Sequence, residues 1–201
     1  MLLWKRLRFG GGRDMLLEDL ENIVPSPKER GDLMIRLARM EDMPRLLEIY
    51  AAARAFMRQN GNMEQWAGGY PGEAVLVKDI ALGQLYAIEE KGRIGGVFML
   101  AAGPDDTYAV IYGGAWGREQ PYGVIHRIAG DGSIKGLLAK AVEFAGVRFD
   151  YLRIDTHAQN FPMQKALSKE GFAQRGVIYL HDGNPRLAYD KLLKTEKEKT
   201  I

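Results

Sequence analysis

The chain has 201 residues, 46% of them apolar, enough to bury one substantial core, and a single domain is expected. With 28 Lys and Arg against 26 Asp and Glu the formal charge is +2, a near balance that gives little support for nucleic acid as a partner. The absence of cysteine excludes a disulfide framework, cysteine-ligated zinc and a cysteine nucleophile, and is compatible with a cytoplasmic location.

Three histidines, His126, His157 and His181, are too scattered for a metal-spacing motif, so no metal is expected. No apolar run approaches the ~20 residues that span a bilayer, and no membrane association is expected. Residues 1–33 differ from the rest: a basic and aromatic start, a run from Gly10 to Gly12, a short amphipathic piece and then Pro25-Ser26-Pro27. No apolar segment of ~7–15 residues follows the first positive charges, so a signal peptide is not expected. Two readings of this extension stay open: a helical arm that packs on the domain or a partner, or an untranslated leader ahead of Met34. The second is favoured slightly, because Met34 directly precedes the first regular strand and Lys28-Glu29-Arg30-Gly31 can be encoded by purine-rich codons.

From there the pattern is regular. Residues 34–38 read as a strand, and 41–58 as a helix with Met43, Leu46, Leu47, Tyr50, Ala51 and Phe56 as its apolar stripe and Pro44 in its first turn. The loop 59–71 contains Trp66 and Tyr70; it is either a surface loop anchored by one buried Trp or a substrate-facing wall. A second helix is expected over 73–82. Strands at 84–89 and 94–102 form a hairpin through Glu90-Lys91-Gly92-Arg93, and a further short extended piece is expected at 108–112.

Residues 122–145 are the stretch around which the rest is organised. A β-branched run leads into Gly130, Asp131, Gly132, Ser133 and Gly136, then into a helical pattern through Leu137, Leu138, Ala141, Val142 and Ala145. Such a turn is either purely structural or presents backbone N–H groups and the positive end of a helix to an anion such as pyrophosphate, with Ser133 as helix cap and Lys135 as added charge. A strand at 151–157, a helix at 160–169 closed by Gly171, a hairpin of 177–180 with 187–190, and a charged tail after Leu193 complete the chain. The fold class is α/β with a mixed sheet, in the order β-α-α-β-β-β-α-β-α-β-β.

Three regions together resemble the GNAT superfamily of acyl-CoA-dependent N-acyltransferases: the opening IRLARMEDMPRLLEIY, the segment HRIAGDGSIKGLLAKAVEFA, and YLRIDTHAQN followed by PMQKALSKEGF. The resemblance covers about residues 34–192. The signatures Gln65-Trp66…Gly69-Tyr70-Pro71, GVIHRIA and LRIDTH are similar to a bacterial subgroup of unknown acceptor. It implies acetyl-CoA as acyl donor and direct attack on its thioester by a primary amine of a small molecule or peptide. It also implies donor-binding residues Ile128, Ala129, Gly130, Gly132, Ser133, Ile134, Lys135, Gly136 and Asn160, with a backbone N–H near Ile128 or Ala129 facing the oxyanion. Two positions depart from the family pattern. Of the usual loop formula only Gly136 is kept, and Leu167 stands where many members carry an acid tyrosine. Tyr70, Tyr151 and Tyr179 are the candidate replacements.

For the base, strand alternation puts Arg153, Asp155 and His157 on one face. They form either an ion-pair network or a pair in which Asp155 orients His157 as general base; His126 is the alternate base. Phe56, Gln59, Trp66 and Tyr70, with Trp116 as a further option, are expected to line the acceptor side. Superfamily members often form homodimers through sheet edges, while the sequence leaves the oligomeric state open. The competing functions are a non-catalytic acyl-CoA sensor and an interaction module on the same fold.

Overall fold

The computed structural model describes residues 33–193. The expectations for the N-terminal extension, Leu33 aside, and for the tail lie outside these residues. In chain order the elements are β1 (Leu33–Leu37), α1 (Met43–Gln59), α2 (Glu73–Ala81), β2 (Leu85–Glu90), β3 (Arg93–Ala102), β4 (Gly123–Gly130), α3 (Leu137–Ala145), β5 (Tyr151–Thr156), α4 (Phe161–Lys169), β6 (Ala173–Tyr179) and β7 (Pro185–Leu192). The seven strands form one sheet ordered β1-β2-β3-β4-β5-β7-β6. Every neighbouring pair is antiparallel except β4 and β5.

Local chemistry explains most boundaries. A short 3₁₀ turn, Met40–Asp42, precedes α1, and the α-helix starts where Pro44, which has no N–H to donate, fits the first turn. The buried stripe of α1 is Met43, Leu46, Ile49, Tyr50 and Ala53, so Ile49 and Ala53 replace the expected Ala51 and Phe56, which face outward. Lys91 and Gly92, both at positive φ, make the two-residue turn between β2 and β3, the geometry that matches the twist of paired strands. Asn160 caps α4 by accepting the Met163 N–H, and Gly171 follows its end in the left-handed conformation.

The expected strand at 108–112 is corrected: Asp106–Tyr108 is a 3₁₀ turn, and only Tyr112 reaches a bridge, to Val177. Asp105 causes the bend, because its Oδ1 accepts both the N–H and the hydroxyl of Thr107. Tyr108 is thereby turned inward and buried.

Two cores flank the sheet. Residues of α3 and α4 cover one face with Ile88, Phe98, Ile125 and Ile154; α1 and α2 cover part of the other with Leu85, Val97 and Met99. A smaller cluster around Tyr108, Val124, Ile178 and Ala188 completes that second face.

Candidate active site

The sheet opens at its centre. Strands β4 and β5 pair only at Gly123 with Leu152 and Val124 with Arg153, and beyond these positions they run apart. On the other side of β4 the ladder to β3 is interrupted: Met99 pairs with His126 and Val97 with Ala129, so β4 holds one extra residue there. Arg127 lies in this bulge with φ of 52°, a left-handed conformation costing a non-glycine residue about 1–2 kcal/mol.

The surroundings hold it there. The Arg127 guanidinium donates from Nε and Nη2 to the two oxygens of Asp79 at 2.9 Å each, and from Nη1 to the Tyr70 hydroxyl at 2.9 Å. Its carbonyl accepts from the buried Tyr50 hydroxyl at 2.9 Å. Burial pushes the Tyr50 phenol well up, so it stays a donor.

Where the strands part, a cleft of about 820 Å³ opens, lined by Trp66, Tyr70, Asp105, His126, Ile128, Asp155, Thr156 and Arg186 among others. His126 stands on its floor. Its Nε2 is 2.9 Å from Asp105 Oδ2, and its Nδ1 faces Asp155 Oδ2 at 3.5 Å. Asp155 also accepts the Tyr108 hydroxyl at 2.9 Å. Burial would raise the Asp105 carboxyl, but hydrogen bonds from His126 and Thr107 outweigh it and hold the group well below the usual range. An ionised Asp105 can only accept, so Nε2, the imidazole nitrogen that faces it, is the donor, and Nδ1 is turned toward Asp155.

The expected pairing of Asp155 with His157 is therefore corrected. His157 lies just past the end of β5, where its Nδ1 accepts the N–H of Gln159 at 3.2 Å. Burial and the nearby Arg186 charge lower its pKa, while Glu64 opposes them. Arg153 belongs to neither pair: it is enclosed between the rings of Trp116 and Tyr122 and donates to the carbonyl of Arg118. Trp116 is thus occupied in packing.

The glycine turn after β4 has an internal tie in place of the expected cap. Asp131 Oδ1 accepts the N–H and the hydroxyl of Ser133, and its Oδ2 pairs with Arg45 and Arg93. The α3 N-cap is Gly136, at φ of 67°, not Ser133. The Leu137 to Ala139 amides lead off α3 with no carbonyl in the helix to accept them. Side-chain carbons at Gly132 or Gly136 would meet nothing within 4 Å, so the turn is open above its backbone, with Lys135 exposed beside it and Ile134 buried beneath.

A phosphate-bearing donor fits this turn, and the gap between the strands fits an extended arm. Thr156 supports the fit: it is 0% exposed, lines the cleft, and its hydroxyl has no partner among the described residues. Asn160, expected to bind the arm, spends its amide elsewhere: Oδ1 caps α4 and Nδ2 donates to Gln65 at 2.9 Å. Gln65 also accepts from Asn62, so the 60–71 loop is strapped to the start of α4.

Of the expected acceptor-side residues, Trp66 and Tyr70 line the cleft. Phe56 is 53% exposed on α1, and it and Gln59 fall outside the cleft lining. Leu167 is buried in the core, Tyr151 donates to Asp190, and Tyr179 is exposed against Tyr112; Tyr70 is the phenol of the three that faces the cleft. Asp79, Asp105 and Tyr108 were not singled out by sequence, since each acts through a contact distant along the chain, and Thr156 and Arg186 were not because only the fold places them at the cleft. Among the described residues no group of three or more His, Asp or Glu could hold a metal ion, and no helix is long and apolar enough to cross a membrane.

No protein-family model matches the chain, and neither does any curated protein. Solved structures do. A GNAT-family acetyltransferase from Streptococcus agalactiae is 30% identical over 81% of this chain and 96% of its own, with a TM-score of 0.74. An acetyltransferase from Staphylococcus aureus Mu50 is 28% identical over 80% of this chain and 99% of its own, with a TM-score of 0.60. A third, from Salmonella typhimurium and solved with its cofactor acetyl-CoA, has the same fold at 16% identity, covering 83% of this chain and 96% of its own, with a TM-score of 0.52.

Proposed function

Since the chain belongs to the GNAT family of acetyltransferases, we propose that residues 34–193 form an N-acetyltransferase domain that moves an acetyl group from acetyl-CoA to the primary amine of a small molecule or peptide in the cytoplasm. The observation that carries the reading is His126, held by Asp105 on the cleft floor beside the bulge of β4.

Acetyl-CoA supplies a thioester whose C–S bond breaks as the acceptor nitrogen forms the new C–N bond, the thiolate taking one of the two protons the ammonium loses. His126 Nδ1 takes the other, and Asp105 stabilises the imidazolium that results. The gap of 3.5 Å between Nδ1 and Asp155 Oδ2 gives an ammonium two acceptors at once. The N–H of Ile128 or Ala129, on the stretch of β4 released from β5, meets negative charge developing on the thioester oxygen. Gly132, Lys135, Gly136 and the first amides of α3 hold the pyrophosphate, Ser133 being tied to Asp131, and Thr156 bonds the extended arm. Tyr70, oriented by Arg127, relays the thiolate's proton: its hydroxyl gives one to the thiolate and takes one back from the acceptor nitrogen.

The test is a thermal-shift titration with acetyl-CoA, CoA and ATP, followed by a CoA-release screen over primary amines. A ligand at 100 times its Kd adds about 2.7 kcal/mol of stability. Stabilisation by acetyl-CoA and CoA but not by ATP, with amine-dependent release, is the expected result. Stabilisation without release from any amine would instead indicate an acyl-CoA sensor.

A further inference from the structure

One charged group on the cleft floor is not used by this chemistry. Arg186 lies on β7, next to β5 in the sheet. Asp155 pairs with Ala188, and Arg186, two residues before it, faces the same side of the sheet. His126, Asp155 and Arg186 therefore form a row across three neighbouring strands. Arg186 is only 9% exposed, yet among the described residues the one hydrogen bond of its side chain runs from Nη1 to the carbonyl of Pro185 at 2.9 Å. Its Nε stands 3.9 Å from Asp155 Oδ1, too far for a hydrogen bond.

Nε and Nη2 of this recessed guanidinium have no hydrogen-bond partner among the described residues, yet they are not sealed off as the Thr156 hydroxyl is, so the fork opens into the cleft. Asp155 does not suffice, since its other oxygen already accepts from Tyr108 and faces His126. Arg127, in the same cleft, shows the contrast: its fork is closed on both oxygens of Asp79. A planar carboxylate is the partner that matches the free fork of Arg186.

We propose that the acceptor is a small α-amino acid, its ammonium received between His126 and Asp155 and its carboxylate by Arg186. The inference rests on the acetyltransferase reading. Asp155 presents one oxygen to each site, Oδ2 at 3.5 Å from His126 Nδ1 and Oδ1 at 3.9 Å from Arg186 Nε, so a short acceptor carrying both groups can span them. The polarity of the floor agrees: Asp105 and Asp155 flank the imidazole, while the positive charge stands at the other end. A simple cationic amine would compete with Arg186 for Asp155, its one nearby carboxylate among the described residues, and a peptide N-terminus would present an amide where the carboxylate belongs.

The experiment uses the full chain and follows CoA release with each proteinogenic amino acid against its α-amide and its decarboxylated amine. At least one amino acid should exceed both counterparts by roughly 10²-fold in kcat/KM, because removing the carboxylate leaves the buried fork unpaired. Arg186→Gln should collapse that ratio, mainly through KM, and Arg186→Lys should keep part of it. The acetyl-CoA-induced rise in melting temperature, measured on each variant, reports an intact donor site. Equal or better turnover of amides or decarboxylated amines, silence of every amino acid while acetyl-CoA still binds, or an unchanged ratio in a folded Arg186→Gln variant overturns the inference alone. If acetyl-CoA fails to bind and nothing releases CoA, the acetyltransferase reading itself has failed.

Discussion

His126 and His157 show how little separates a functional histidine from a bystander in sequence. One lies within an apolar strand and the other just past the end of one, and both have a carboxylate close by in the chain or the fold. Alternation along β5 correctly puts Asp155 on the cleft face, but it was extended one residue past the strand's end, where the backbone turns and His157 bonds Gln159 instead. The partner that fixes His126 is Asp105, 21 residues away, in a bend set by its own side chain. No periodicity encodes such a pairing. His126→Ala should lower kcat by about 10²- to 10⁴-fold while leaving acetyl-CoA affinity near that of the parent. In His157→Ala the fall should be much smaller. Steady-state kinetics of the two variants with one acceptor, beside acetyl-CoA titrations, decides between them, and the reverse ranking would return the base to His157.

At the level of elements, the strands, helices and their order were legible, because apolar period, Pro44, Pro162 and Gly171 mark them locally. The bulge in β4 was not. Nothing in GVIHRIAG marks an extra residue; the bulge depends on Arg127 meeting Asp79 on α2, 48 positions away. Burial raises the Asp79 carboxyl even against the Arg127 charge, so this ion pair is held at a cost that its geometry offsets. Replacing Asp79 by Ala strands a buried guanidinium and should destabilise the fold by about 3–5 kcal/mol. It should also weaken acetyl-CoA binding, since Arg127 then has less reason to keep its left-handed backbone. Chemical denaturation and a donor titration measure both; a variant with the parent's stability and donor affinity would show that the bulge stands without the pair.

Across the whole molecule, acid sensitivity follows from carboxylates held below their ordinary values. Arg36 does this for Asp42. At Asp105 and Asp131 burial acts in the opposite sense, but hydrogen bonds and neighbouring cations prevail. A group depressed in the folded state stabilises the fold at pH above its unfolded value, near 3.9, and loses that contribution as pH falls through the folded one. Asp79 shifts the other way and offsets part of the loss. His157, whose folded value is depressed, adds a smaller loss that begins as pH falls below about 6.5, so the melting temperature should decline gently there and steeply below about pH 4. Asp105→Asn should flatten the fall, and melting curves across that range check it.

The gap between β4 and β5 bears on the order of events in a turnover. His126 belongs to one strand and Asp155 to the other, and past Val124 and Arg153 no backbone pairing fixes the distance between them. On the proposed reading the donor's arm is what bridges the two strands. An acceptor arriving first meets half-sites held together by side chains alone; one arriving second meets a pair braced by the donor. Turnover then runs through a ternary complex with compulsory order, donor before acceptor, and the free thiol product leaves last.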